Sequence, residues 1–454
     1  MTAYSEEISN FVSNLKYNDI PKEVIYRAKL HLLDSLGVAL SSSQNPIIKN
    51  SIVKTLKDIK ANKESTVINS KLLSSSDYAA FANASMIHGQ DFDDTHRLGV
   101  VHTSSVVVPA VLACGEAKQI NGETLMESLV AGYEVFARIG IAANEGFHHK
   151  GMHATPMCGI FVASLLSGKI NNHTVKELTN ALGICGSQSA GIQQFLIDGS
   201  WVKIIHPGWA VHSGIFASKL ASNGFIGPLE IFEGKLGFFS CHLGLDNVKL
   251  DCLTKDLGDV WETLNMSIKR YPCCHAIHTF IDGVLEIQAT QNLELDKIKR
   301  INCKVNPLGK KLVCDPIEIK RNPSTPYGGR FSMPYAIAIT LLDGELGLAQ
   351  FSEEKINDQR VLDVTKKIDC IEDSSLPRTG GNITIEMEDG SQYKYIKEHP
   401  IGSHFYPLEE QQVIDKFRRN VSDIIPKNQA EQIIKSVLNI ESINNIKELM
   451  TLLK

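Results

Sequence analysis

At 454 residues the chain exceeds what one hydrophobic core supports, so two domains are expected. Its 43% hydrophobic and 21% charged residues are those of a globular protein, and its formal net charge of -5 lacks the basic surface that nucleic acid or an anionic membrane would require. Ten scattered cysteines with no Cys-x-x-Cys pair exclude a disulfide framework, a zinc ribbon and a thioredoxin-type site. The acidic start lacks a basic-then-apolar leader, and the apolar runs stop short of the ~20 residues of a membrane span, so a reduced, cytoplasmic protein is expected.

Residues 5 to 15 read as a short amphipathic helix. The next opens at Asp19-Ile-Pro-Lys-Glu, with Asp19 as cap and Pro21 in the first turn, and continues through Ala28, Leu32, Leu33 and Leu36. Residues 44 to 60 repeat the helical pattern, Thr66-Val-Ile is briefly extended, and 76 to 88 are helical again. From there to about Gly224 the spacing predicts helices over 104–119, 122–144, 155–168, 174–190 and 208–223, with almost no strand signal. Their many Ala, Gly and Ser residues predict close helix packing in a buried bundle.

The pattern changes near residue 266. Ile298 to Val305 alternates like a strand, and Asn382–Met387 followed by Asp389-Gly390 and Gln392–Ile396 predicts a hairpin with a type I′ turn. Helical patterns over 275–290, 333–342 and 357–366 interrupt the strands, giving an α+β region. After Pro400 the sequence returns to helix over 407–417, 427–438 and 443–453. The expected architecture is mainly α: a large helical domain from residues 1–265 and 401–454, with an inserted α+β lid at 266–400.

Four polar stretches interrupt this apolar background. The first is His88-Gly-Gln-Asp-Phe-Asp-Asp-Thr-His96 with His102-Thr-Ser-Ser following, which reads either as a loop carrying chemistry or as a helix end with capping aspartates. The second is Gly146-Phe-His-His-Lys-Gly-Met-His153. His149 and His153 are four apart and could hold zinc, but no His-Glu-x-x-His order is present, and a proton- or anion-handling histidine is the preferred reading. The third, Asp198-Gly-Ser-Trp-Val-Lys-Ile-Ile-His206-Pro-Gly-Trp, places Lys203 in an apolar run, where a lysine is either desolvated and able to exchange protons or snorkelling to solvent. Pro207 and Gly208 predict a helix start there. The fourth is Ile268-Lys-Arg-Tyr-Pro-Cys-Cys-His-Ala-Ile-His278. Pro272 predicts a helix start whose free N–H groups, with Lys269, would clamp a carboxylate, and His275 and His278 fall on one helical face. Neither a Gly-x-Gly-x-x-Gly turn, a P-loop nor a Gly-x-Ser-x-Gly elbow is present.

Together these stretches make the chain resemble the MmgE/PrpD family over nearly its whole length. The resemblance rests on Asp91-Phe-Asp-Asp-Thr95, His206-Pro-Gly-Trp-Ala-Val-His-Ser-Gly, Gly224-Phe-Ile-Gly-Pro with Phe232-Glu-Gly, Lys269-Arg-Tyr-Pro-Cys-Cys-His-Ala-Ile-His278, and Phe331-Ser-Met-Pro-Tyr with Leu342-Asp-Gly, in the family's order. It implies a helical domain built from both chain ends, an α+β lid, a homodimer, and an active site between the domains that uses neither cofactor nor metal. Its substrates are small di- or tricarboxylates, and its members include 2-methylcitrate dehydratase, cis-aconitate decarboxylase and iminodisuccinate epimerase. The family's functional positions are matched by Asp91, Thr95, His102, His153, Lys203 and Lys269. In the roles expected here, His102 or Lys203 moves the proton, Lys269 and His153 bind carboxylates, Asp91 orients a histidine or lysine, and Thr95 hydrogen-bonds a carboxylate. The tyrosine that the decarboxylases contribute from the lid has no counterpart among Val313-Cys-Asp-Pro. The rival readings are a metal hydrolase using His149, His153, His275 and His278, an iron–sulfur lyase needing three clustered thiolates, and a carboxylate-binding protein without catalysis.

Overall fold

The computed structural model describes residues 2–454. It is mainly helical with a smaller α+β region, as the sequence predicts. The helices Tyr4–Asn14, Ser76–His88, Ser104–Lys118, Gly122–Ala142 and Ala154–Ile170 lie within a few residues of their expected bounds. Asp19 does not cap the second helix. Pro21 stands at the cap of Lys22–Ser42, and the Asp19 carboxylate instead accepts the Lys16 N–H at 3.0 Å in the preceding turn. The helix expected over 174–190 is shorter, Val175–Cys185, opened by a capping box in which Thr174 and Glu177 satisfy each other's backbone N–H groups.

The largest departure concerns Pro207. The helix starts at Val202, a full turn before the proline, and runs to Ser222. Proline lacks an N–H, so the carbonyl four residues back, that of Lys203, loses its helical partner. The early start puts Lys203 and His206 on one rigid helix rather than on a loop. This helix packs at close range on Ala154–Ile170 and Ser76–His88. A Cβ on Gly214 would come within 2.5 Å of the Ile160 carbonyl oxygen, and one on Gly208 within 2.8 Å of that of Phe81. The small residues therefore set how near the Lys203 helix comes to its neighbours.

Strands are more numerous before residue 266 than their sequence signal implies. Ser65–Val67 pairs with Leu72–Ser74, and the two residues Thr95–His96 pair antiparallel with Met266–Ser267. The second pairing joins the acidic loop to the segment that carries Lys269. The buried Glu134 carboxylate anchors that segment from below: it accepts from the N–H groups of Glu262 and Thr263, both at 2.8 Å, and from Arg138 at 2.7 Å.

The α+β region holds a four-stranded sheet. Ile298–Val305 lies between Ile368–Glu372, its parallel neighbour, and Gly381–Met387, which is antiparallel and pairs in turn with Gln392–Lys397. The hairpin is present, but its turn is not type I′: only Gly390 has a positive φ, at 88°, whereas type I′ needs two successive residues there. One apolar core contains the helices up to Ile268 together with Leu408–Leu453. A second gathers side chains between Tyr271 and Tyr395. Tyr327 and Phe331 belong to the first core, although both lie in the segment expected for the lid.

Glu410–Val421 packs on Lys22–Ser42 and brings Lys416 inside. Lys416 ion-pairs with Asp34 at 2.6 Å, donates to the Phe92 carbonyl at 3.1 Å and lies 3.7 Å from the Phe92 ring centroid. Burial pushes the Asp34 carboxyl up to about 6 in spite of that cation. Lys416→Met would leave Asp34 buried without its partner and is expected to lower the unfolding free energy by about 3–5 kcal/mol, while Lys416→Met with Asp34→Leu should recover most of the loss. Urea denaturation of both variants checks this.

Candidate active site

The loop after Ser76–His88 carries three carboxylates, and each has different partners. Asp91, held at a left-handed φ of 50°, sits between two ammonium groups: Lys203 Nζ donates to Oδ1, and Lys269 Nζ donates to Oδ2 at 3.0 Å and to the Asp91 carbonyl at 2.8 Å. Asp93 Oδ2 lies 2.7 Å from His88 Nδ1 and 3.3 Å from His102 Nδ1. Asp94 contacts His31 Nδ1 at 2.8 Å and accepts from the Ser104 N–H at 2.9 Å and the Thr103 hydroxyl at 3.1 Å. Asp94 thereby serves the start of Ser104–Lys118, so the capping reading holds for this one aspartate and not for its neighbours.

All four groups of the Asp91 and Asp93 clusters that carry charge are nearly out of water. Burial raises the pKa of Asp91, but the two lysines outweigh it and hold the carboxyl far below the ordinary range. Burial likewise opposes the charge on Lys269, and Asp91 and Asp93 reverse the balance, so its pKa stands above the ordinary lysine value. Lys203 also lies 5.0 Å from the Phe331 ring centroid, a second stabilising contact for its cation. Pro272 does not itself open a helix: a 3-10 turn at His275–Ile277 leads into the helix His278–Thr290, and Lys269 donates to the Asp91 carboxylate.

The imidazoles form a stacked group. His88 and His153 lie parallel with centroids 5.5 Å apart, His102 meets His88 edge-on at 4.7 Å, and His153 Nδ1 is 3.1 Å from His206 Nδ1. Burial drives His88 down to about 3, with Asp93 opposing and Lys203 reinforcing. Burial and Lys203 take His206 to about 4. His102 and His153 are lowered by burial too; Asp93 pulls His102 back up, and Lys203 pushes His153 further down. These rings are neutral near pH 7 and can accept protons.

A cavity of about 100 Å³ is lined by Asp91, Thr95, His102, His153, Lys203 and Lys269, with Phe195 and Phe331 as apolar neighbours. All six residues singled out from the sequence are therefore brought together. Thr95 Oγ1 contacts His275 Nδ1 at 3.1 Å. Val100, a β-branched residue at a left-handed φ of 53°, also lines the cavity, and such strain concentrates at functional sites.

The four histidines of the metal-hydrolase alternative do not converge. His149 is exposed, 4.0 Å from Glu145, and His278 turns to the Cys273 carbonyl. Of the four, only His153 joins a possible metal site: His88, His102 and His153 each offer a nitrogen within 4.8 Å of the other two and could hold a metal ion, as could Asp91, Asp93 and His102. Among the described residues there is no comparable group of three thiolates, so the donors for an iron–sulfur cluster are not assembled.

Several residues at the site were not singled out from the sequence. His88 and Asp93 lie inside the acidic stretch but look like a helix end and a cap. His206 was visible only as part of a motif. Arg330 donates to the carbonyls of Gln90 at 2.8 Å and Pro272 at 2.6 Å, tying the Asp91 loop to the Lys269 segment, and no local pattern marks it. Tyr327 is buried near Asp91 with no partner for its hydroxyl, and burial and that carboxylate raise its pKa. Arg378 lines the cavity without any motif, and His148 of the second polar stretch lines it as well.

Two buried lysines share one carboxylate beside imidazoles of lowered pKa in one cavity, an arrangement able to hold a small anion and to exchange protons. The match to known proteins is of the same kind: the MmgE/PrpD N-terminal domain matches residues 6–251 and the MmgE/PrpD C-terminal domain residues 271–441, and the chain belongs to this family. Cis-aconitate decarboxylase of Aspergillus terreus is 26% identical over 472 residues, covering 99% of this chain and 95% of that protein. Cis-aconitate decarboxylase of Homo sapiens is 25% identical over 469 residues, 100% and 95% of the two chains. 2-Methylcitrate dehydratase of Salmonella typhimurium is 22% identical over 463 residues, 95% and 93%. These named relatives are lyases.

The depressed imidazoles set a pH dependence of stability. An unfolded chain protonates His88 and His206 near 6.5, whereas the folded protein resists until about 3 and about 4. Their contribution is complete above about 6.5 and is lost as pH falls toward those folded values, because only the unfolded state takes up the protons. Asp34, raised to about 6, acts in the opposite sense but is one group against several. Urea midpoints should fall between about pH 7 and about pH 5, and His88→Gln with His206→Gln should flatten that slope.

Proposed function

We propose that the protein is a cofactor-independent lyase acting on a small di- or tricarboxylate, with decarboxylation of a cis-aconitate-like acid as the leading reaction. The observation that carries this reading is Asp91 bridging Lys203 and Lys269 beside His102 and His153 in one cavity. Support for decarboxylation comes from the 24–26% identity to cis-aconitate decarboxylases, against 21–22% to 2-methylcitrate dehydratases. Dehydration is the second reading, and epimerisation, which needs proton-handling groups on opposite faces of the substrate, is the third. The proposal includes a homodimer in the cytoplasm, with residues 266–400 closing as a lid over the helical part, 1–265 and 401–454.

The roles follow from charge. The substrate's carboxylates enter beside Lys203 and Lys269, whose positions Asp91 holds, and charge-assisted hydrogen bonds of roughly 1.5–3 kcal/mol each offset the loss of water. Electron density developing on the carboxylate next to the reacting carbon is stabilised by the same cations. In decarboxylation the carbon–carbon bond to the departing carboxylate breaks, carbon dioxide leaves, the electron pair passes into the conjugated acid, and carbon receives one proton. Lys203, ion-paired with Asp91 in the cavity wall, is the donor assigned to that step. In dehydration a base must instead remove a proton α to a carboxylate, and neutral His102, steadied by Asp93, fits that role. His153 and Thr95 hydrogen-bond carboxylates.

Proton NMR of chelator-treated protein with cis-aconitate, citrate, 2-methylcitrate and iminodisuccinate tests the proposal. Itaconate from cis-aconitate is the expected product; 2-methylaconitate from 2-methylcitrate would select dehydration, and inertness toward all four acids would refute the substrate class. Lys203→Met is expected to reduce turnover by about 10²–10⁴-fold with folding intact by circular dichroism. Unchanged turnover would remove Lys203 from the mechanism.

A further inference from the structure

The cavity has three lysine or arginine side chains in its wall, Lys203, Lys269 and Arg378. The two lysines are matched by the Asp91 and Asp93 carboxylates, so that cluster holds two cations and two anions with its imidazoles neutral. A substrate with three carboxylates brings more negative charge than this cluster can balance. Arg378 stands apart from it, just before the Gly381–Met387 strand, and belongs to the α+β region. Its Nη1 donates to Glu145 Oε1 at 2.7 Å. Among the described residues this is the hydrogen bond its side chain makes, which leaves most of the five guanidinium N–H donors free. The rings around it, His148 and His275, are lowered in pKa by burial and present neutral edges.

Glu145 is a replaceable partner. It follows the Gly122–Ala142 helix at a left-handed φ of 62°, its side chain is 36% exposed, and His149 lies 4.0 Å away on its other side. It can turn to water and to His149 if Arg378 is taken from it. Arg378 is 16% exposed and faces the cavity, where a planar carboxylate can take two of its donors at once.

We propose that Arg378 is a carboxylate anchor: it exchanges Glu145 for a substrate carboxylate remote from the lysine pair, and so makes the site select tricarboxylates over dicarboxylates. This rests on the reading of the cavity as a polycarboxylate site. No bond is made or broken, and Glu145 is displaced from the guanidinium as the ligand arrives.

The discriminating experiment is calorimetric titration of the full-length protein with two unreactive ligands, propane-1,2,3-tricarboxylate and glutarate. Arg378→Gln should weaken the tricarboxylate about tenfold or more, the loss of a charge-assisted hydrogen bond, and leave glutarate unchanged. Glu145→Gln removes the competitor and should tighten the tricarboxylate, the opposite direction. Arg378→Lys should fall between Arg378→Gln and the unaltered protein, since it keeps the charge and loses the fork. If the ion pair only latches the two parts of the chain together, Arg378→Gln and Glu145→Gln will weaken both ligands alike and lower the melting temperature in parallel, which overturns the anchor and leaves the lyase proposal standing. If the unaltered protein binds neither ligand, the polycarboxylate reading fails and the anchor falls with it.

Discussion

Everything at the site depends on one buried carboxylate shared by two buried lysines. Placing Asp91, Lys203 and Lys269 out of water costs far more than any surface ion pair returns, and it is tolerable only because each charge meets its opposite at hydrogen-bonding distance. The three residues come from a loop, a helix and an irregular segment that are remote in sequence, and each element has its own support. Small residues let the Lys203 helix come close, the two-residue ribbon joins the acidic loop to the Lys269 segment, and Arg330 bonds the backbone of both. The resulting cluster is rigid before any substrate arrives, which is what electrostatic catalysis requires of its charges.

The same burial fixes the protonation of the imidazoles. Removal from water lowers His88, His102, His153 and His206, and the lysines lower some of them further. Aspartates act against this where a ring must be held in one orientation, as Asp93 does for His88 and His102. Environment thus separates the groups: Lys269 keeps its proton because carboxylates sit beside it, and the rings lack theirs because they are dry. Such a site can run several reactions on one scaffold, since what differs between losing carbon dioxide and losing water is which bond of the substrate is presented to the proton donor.

Much of this was legible in the sequence, for physical reasons that differ by element. The buried helices Ser76–His88, Ser104–Lys118 and Ala154–Ile170 were readable to within a few residues as long apolar runs rather than from a one-sided period. Pro207 misled because proline is usually a boundary, whereas here tertiary packing on Gly208 and Gly214 carries the helix straight through it. The turn at Gly390 was misread because Asp-Gly also serves loops in which only the glycine is left-handed. The six site residues were recognisable as polar groups in apolar surroundings and by family resemblance. Their partners were not. Nothing local to Arg330, Arg378 or Tyr327 distinguishes them from surface or core residues, because their roles come from contacts across hundreds of positions. Lys269 before Pro272 suggested a helix-dipole clamp, and only the fold reveals its bond to a carboxylate 178 residues earlier.

Lys416 gives the architecture a consequence in time. Its ammonium reaches the Phe92 carbonyl, in the middle of the acidic loop, from a helix near the far end of the chain. A ribosome therefore makes Asp34, the loop, Lys203 and Lys269 long before it makes the cation that secures them. Until that helix emerges, Asp34 faces no counter-charge and the loop lacks one of its ties.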